Sequence, residues 1–241
     1  MKIFKFSVIF LCIAFAIGFV ITAALIIRQN VVDIMINDNV SAMTHNVKYR
    51  NKVKIIGVPV IKQEISCGYA CIEMLSEYLG GNGALTEEIL YERNGNKITT
   101  STNDGLYKEM QKRLPDYKIT QHKNLKNSEL IDMIYESLTN GMPVIFSYAA
   151  FDTTLDDAKD NPEWTLHYGI AVGMNIPGNE ITVNNPYGYT ETYGISDFLK
   201  ATRFESYDNM EFYLKLGFGA GIFSKNTVYI IEDLPADLND T

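Results

Sequence analysis

The residues that could do chemistry are concentrated in Gln63-Glu64-Ile65-Ser66-Cys67-Gly68-Tyr69-Ala70-Cys71-Ile72. A cysteine stands there where an extended, turn-prone segment gives way to a helix. Pro59 fixes its own backbone and biases Val58 away from helix, and Gly68 relaxes the chain beside Cys67. From Ala70 the apolar residues fall at Ala70, Cys71, Met74, Leu75 and Tyr78, the spacing of one buried helix face. A cysteine at a helix N-terminus lies beside unpaired backbone N–H groups and the positive end of the dipole. That setting lowers a thiol's pKa and favours the thiolate, the form that attacks carbonyl carbon. Gln63, four residues upstream, carries an amide that can reach the same space as an oxyanion donor. Cys71 falls one turn later on the apolar face and reads as core. Cysteine is among the most buried residue types, so position alone does not make Cys67 a nucleophile.

A nucleophile needs a base, and the chain has three histidines. His45 and His122 fall in polar segments and read as exposed loop residues. His167 opens the apolar run Tyr168-Gly169-Ile170-Ala171-Val172-Gly173, directly after an acidic stretch holding Asp152, Asp156, Asp157, Asp160 and Glu163. At such a strand entrance a ring can face a cleft while the following residues enter the core. Downstream, Ile181-Thr182-Val183-Asn184-Asn185-Pro186 ends another strand in an Asn-Pro turn. Cys, His and Asn in that order supply a nucleophile, a general base and an orienting amide. The base removes the thiol proton and later protonates the leaving amine.

Positioning those groups requires an N-terminal helix to meet a C-terminal sheet. After the Cys67 helix the patterning predicts short helices from Thr86 to Glu92 and from Asn103 or Asp104 to Arg113. A third is capped by Ser128, with Leu130, Ile131, Ile134 and Leu138 on one face and Gly141 at its end. The period then changes. Strands are predicted over residues 143–148, 166–174, 181–184 and 227–231, with a helix over 196–202 capped by Ser196. The glycine-rich stretch 217–221 reads as a surface loop. Helices first and a mostly antiparallel sheet second is an α+β arrangement.

The formal charge is −8, which argues against nucleic acid, since phosphate binding needs clustered Lys and Arg. Residues 6–27 form an apolar run of 22, relieved only by Ser7, Gly18 and Thr22, and a spanning helix needs roughly 20. Lys2 and Lys5 precede it and Arg28 follows, a bias that keeps the N-terminus cytoplasmic and sends the remainder across. The expected organisation is a transmembrane anchor over 1–28, a polar connector over 29–53 that lifts the domain off the bilayer, and a catalytic domain over 54–241. A cleaved signal peptide with a secreted product is the competing reading. Three cysteines, one of them in the apolar run, make no disulfide framework. The scattered histidines and the lack of HExxH or Cys-pair spacing point to no metal or other cofactor.

Four blocks, in order, resemble the C39 peptidase family in its stand-alone C39-like branch. They are Pro59 with Gln63, Cys67 and Gly68; Gly141-Met142-Pro143; His167-Tyr168-Gly169; and Asn184-Asn185-Pro186. The resemblance covers roughly residues 58–235 and implies a papain-like α+β fold, with helices packed on a mainly antiparallel sheet. It implies Cys67 as nucleophile, His167 as base, Asn185 as orienter and Gln63 as oxyanion donor. The family's orienting residue is usually Asp. Asn185 still accepts from an imidazole N–H but supplies no negative charge, and Asn184 takes the role if the register slips by one. Cleavage of double-glycine leaders belongs to members fused to an exporter and is not carried over.

The implied activity is a membrane-anchored cysteine peptidase acting on peptide or protein substrates outside the cytoplasm. Because the acidic stretch runs into His167, a basic peptide is the expected substrate. Two other readings stay open: a peptide-binding module that has lost the chemistry, and a thiol acyltransferase or cell-wall amidase.

Overall fold

The computed structural model describes residues 2–98, 104–151, 164–204 and 212–234. The expected acidic stretch therefore lies outside the described residues. The chain begins with α1 (Lys2–Thr44), followed by a 3-10 turn at Val47–Tyr49 and the short strand β1 (Val53–Lys54). Three helices come next: α2 (Cys67–Tyr78), α3 (Glu87–Arg93) and α4 (Gly105–Arg113). Then come β2 (Tyr117–His122), α5 (Asn127–Thr139), β3 (Val144–Phe151), β4 (Trp164–Asn175), β5 (Glu180–Asn185) and β6 (Tyr189–Tyr193). The chain closes with α6 (Ile195–Arg203), α7 (Phe212–Gly219) and β7 (Val228–Asp233).

The strands form one sheet in the order β2-β7-β3-β4-β5-β6, with β1 also on β4, and each of these pairings is antiparallel. The alternation of a pleated strand sorts side chains to two cores. Ile145, Tyr168, Ile170, Val172, Tyr229 and Ile231 face α2, α3 and α4. Val144, Phe146, Tyr148, Ala171 and Val183 face α5, α6 and the distal part of α1. Mixed helix and antiparallel sheet is thus observed, with helices on both faces of the sheet rather than all before it.

Several expectations shift. α5 starts two residues earlier than Ser128 capping requires: Lys126 is the cap, and its backbone N–H donates to Glu129 Oε2 at 2.9 Å. Gly194, not Ser196, caps α6. The glycine-rich stretch is helical as far as Gly219, because Phe218 is buried against the stacked ring of Phe204, and packing overrides glycine's weak helix propensity. His122 ends a strand and is partly buried, not in an exposed loop, since Tyr117 to His122 pair residue for residue with β7.

The largest difference concerns the expected connector, 29–53. α1 has 43 residues, which at about 1.5 Å each makes it roughly twice as long as a ~30 Å hydrocarbon core requires. Its first part is the one described helix long and apolar enough to cross a membrane. Its last part is not a spacer. Ile36, Val40 and Met43, spaced on one helix face, are buried among Leu130, Ile134 and Phe198. Tyr49 is also buried and its hydroxyl donates to Asp132, while Lys48 bridges Asp132 and Glu136 of α5. The helix continues straight into the core.

Candidate active site

Cys67 is the first residue of α2. Ser66 caps the helix, its Oγ accepting from the Tyr69 N–H at 3.4 Å, while Ala70, Cys71, Met74 and Leu75 are buried beneath it. Gly80, at φ +88°, ends the helix in the left-handed conformation that glycine adopts without strain. The segment before Cys67 is tied down from three sides. Asn184 Nδ2 donates to the carbonyls of Val58 and Pro59 at 3.1 and 3.2 Å. Gln63 N–H donates to the Pro186 carbonyl at 2.6 Å. Glu87 Oε2 accepts from the N–H groups of Glu64 and Ile65 at 2.9 and 2.7 Å.

Two opposing effects act on the thiol at this place in the helix. Burial pushes the Cys67 thiol up; the backbone N–H groups of Tyr168, Gly68 and Cys67 itself pull it down without offsetting that, and the Glu87 charge adds to the rise. The helix-terminal donors are present as expected, but loss of water outweighs them. The Tyr168 amide also places the thiol beside the residue that follows His167. Cys71 is fully buried, its thiol pushed well up by burial.

His167 is buried on β4, directly across from Tyr148 on β3. Its ring stacks on Tyr187 with centroids 4.2 Å apart and an interplanar angle of 21°. His167 Nε2 and Asn185 Oδ1 are 2.9 Å apart. The Tyr187 backbone N–H, which can only donate, also meets Asn185 Oδ1 at 2.9 Å. That contact settles which end of the amide is oxygen, so Nε2 carries the proton and Nδ1 of the neutral ring holds the lone pair. The other end, Asn185 Nδ2, donates to Glu191 Oε1 at 2.8 Å. Asn184 points elsewhere, held by Val58, Pro59 and Thr190.

Gln63, Cys67 and His167 line one cleft of about 810 Å³. Its walls are largely apolar, with Leu166, Phe204, Phe218, Ile222 and Phe223 beside the histidine. Gln63 Oε1 is buried there without a hydrogen-bond partner among the described residues. His45 and His122 lie outside this cleft. Among the described residues no group of three or more His, Cys, Asp or Glu is placed to hold a metal ion.

The sequence reading missed three residues that shape this site, Glu87, Tyr187 and Glu191, and gave Gly169 no role beyond its place in the His167 block. A Cβ on Gly169 would lie 3.1 Å from both Tyr148 Cε1 and Val183 Cγ1 and 3.4 Å from Phe146 Cζ. The gap lets the Tyr148 ring lie across β4, its hydroxyl donating to Glu191 Oε1 at 3.2 Å. Gly169→Ala is expected to destabilise the fold by about 1–3 kcal/mol, because the neighbours it meets are buried and cannot yield freely. Denaturant unfolding of the full chain checks this, and a cost below about 0.5 kcal/mol would mean the packing around Gly169 is looser than described.

A family model described as Peptidase_C39 like family matches residues 55–215, a span that includes Gln63, Cys67, His167 and Asn185. Among curated proteins none matches the chain. With more than half of its length matched, and with the mixed helix and antiparallel sheet architecture described above, the chain belongs to the C39-like peptidase family.

Proposed function

We propose that this protein is a membrane-anchored cysteine peptidase of papain-like fold that hydrolyses peptide bonds outside the cytoplasm. One observation carries the reading: the Asn185 amide, oriented by the Tyr187 N–H, sets His167 in the tautomer with its lone pair on Nδ1, in the cleft that Cys67 lines. In the proposed reaction Nδ1 takes the Cys67 proton and the sulfur attacks the substrate carbonyl carbon. The oxyanion is met by the Cys67 backbone N–H and by the Gln63 amide, turned so that its NH2 faces the cleft. The imidazolium then protonates the leaving amine as the C–N bond breaks. Water, losing a proton to Nδ1, attacks the thioester, and the carboxylate product leaves as the thiol reforms. The apolar cleft wall suits an apolar side chain near the scissile bond. The acidic segment 152–163 is the reason to retain a basic peptide as substrate.

On this reading α1 anchors the chain with its N-terminus cytoplasmic, as Lys2 and Lys5 favour. A second reading, a peptide-binding module without turnover, is favoured by the raised Cys67 thiol. A mixed peptide library incubated with the full chain in detergent and read by mass spectrometry separates the two. Turnover lost in Cys67→Ala supports the peptidase; capture without new termini supports the binding module. Gln63→Ala is expected to lower kcat by about 10²–10³ with KM little changed, the effect of removing one oxyanion donor. Equal losses in kcat/KM through KM alone would move Gln63 to substrate binding.

A further inference from the structure

We propose that Glu191 is a positioning residue for His167, supplying through Asn185 the negative charge that an asparagine orienter lacks. The inference rests on the Cys67–His167 pairing above. Four adjacent strands contribute one side chain each to a continuous row: Tyr148 on β3, His167 on β4, Asn185 on β5 and Glu191 on β6. Asn185 pairs with Tyr189, and Glu191 pairs with Val183, so Asn185 and Glu191 are diagonal neighbours across the β5–β6 hairpin. The polar chain runs His167 Nε2 to Asn185 Oδ1 at 2.9 Å, then Asn185 Nδ2 to Glu191 Oε1 at 2.8 Å.

Glu191 is partly buried, and its hydrogen-bond donors, the Asn185 amide and the Tyr148 hydroxyl, are both neutral. Among the described residues no Lys or Arg forms an ion pair with it. The charge is therefore left to act along the amide. A donor bonded to a carboxylate is polarised, which makes Oδ1 a stronger acceptor and favours the imidazolium formed when Nδ1 takes the thiol proton. The other titratable groups around the ring are Cys67 from α2, Tyr148 from β3, Tyr187 from the turn, and Tyr189 and Tyr193 from β6. Glu87 lies on the thiol side, where its charge opposes the thiolate. Glu191 sits behind the base, where negative charge helps.

The test uses the full chain in detergent with Cys12→Ser, so that Cys67 is the partly exposed thiol and Cys71 stays buried. Chloroacetamide labelling of Cys67 is followed against pH. Glu191→Gln keeps the hydrogen bond and removes the charge. It is expected to slow labelling at pH 7 about tenfold and to move the alkaline limb of peptide hydrolysis, which reports the imidazolium, down by about one unit. Asn185→Asp alone sets two carboxylates against each other and is also expected to be slower than wild type. The double variant Asn185→Asp with Glu191→Gln exchanges amide and carboxylate, preserves the bond, and returns one charge to the ring. Its labelling is expected to exceed that of either single variant. A merely structural Glu191 predicts a double variant no better than the worse single one and an unshifted profile, and that result overturns the proposal. Wild-type labelling that is indifferent to His167→Ala overturns the pairing and this inference together. Labelling that depends on His167 but not on Glu191 removes only the inference.

Discussion

Replacing His167 by alanine is expected to lower peptide hydrolysis by about 10⁴-fold in kcat, with KM changed less than about threefold. The size follows from the state of the thiol. Burial holds Cys67 above its ordinary value despite three backbone N–H groups nearby, so a lone Cys67 is almost wholly protonated at neutral pH. The imidazole must take that proton before attack and return it to the leaving amine afterwards, and alanine does neither. KM is spared because the proposed binding surface is the apolar wall of Leu166, Phe204, Phe218 and Phe223 rather than the ring. Steady-state kinetics on the best library peptide decide the point. A loss below about tenfold would remove His167 from the proton path.

Deleting residues 1–53 is expected to damage the fold far more than deleting 1–28, although both remove the whole apolar run. The shorter deletion keeps the helical stripe of Ile36, Val40 and Met43 on α5 and α6, together with Tyr49 and Lys48 on Asp132 and Glu136. Fully burying an aliphatic side chain is worth about 1.5–3 kcal/mol, so the longer deletion forfeits roughly 5 kcal/mol or more. For a domain of this size that lowers Tm by about 10–20 °C, enough to leave the fragment largely unfolded at working temperature. Thermal melts of fragments 29–241 and 54–241 measure it. Equal melting temperatures would show that the distal part of α1 packs only loosely.

The nucleophile helix was legible because its signals are local: Ser66 at the cap, Ala70, Cys71, Met74 and Leu75 on one face, and Gly80 beyond the end. The strand of His167 was legible for the same reason, as a continuous apolar run. The choice between Asn184 and Asn185 was not, since successive strand residues face opposite sides and only pairing register says which faces the histidine. The structure turns Asn185 to His167 and Asn184 to the chain before Cys67. Glu191 was invisible because its place beside Asn185 depends on the tight turn at Gly188 and on β6, a short polar edge strand that carries no hydrophobic signal. Glu87 lies 20 positions after Cys67 and meets its loop only through tertiary packing. The desolvation that opposes the helix-terminal donors at Cys67 was not legible for a related reason. A helix N-terminus is written in sequence, whereas desolvation is a property of the packed cleft.

Lys2 and Lys5 set the expected topology, and the length of α1 sets the expected span, but the chemistry turns on whether Cys67 and His167 act as one unit. The measurement to make is the rate of chloroacetamide labelling at Cys67 in the full chain, from pH 5 to 10, for wild type and His167→Ala. A coupled pair predicts labelling in wild type that persists well below the ordinary thiol pKa of about 8.5, and an alanine variant that labels only above it. If both proteins label only above that value, with the same profile, burial alone governs the thiol and the proposed peptidase mechanism is contradicted.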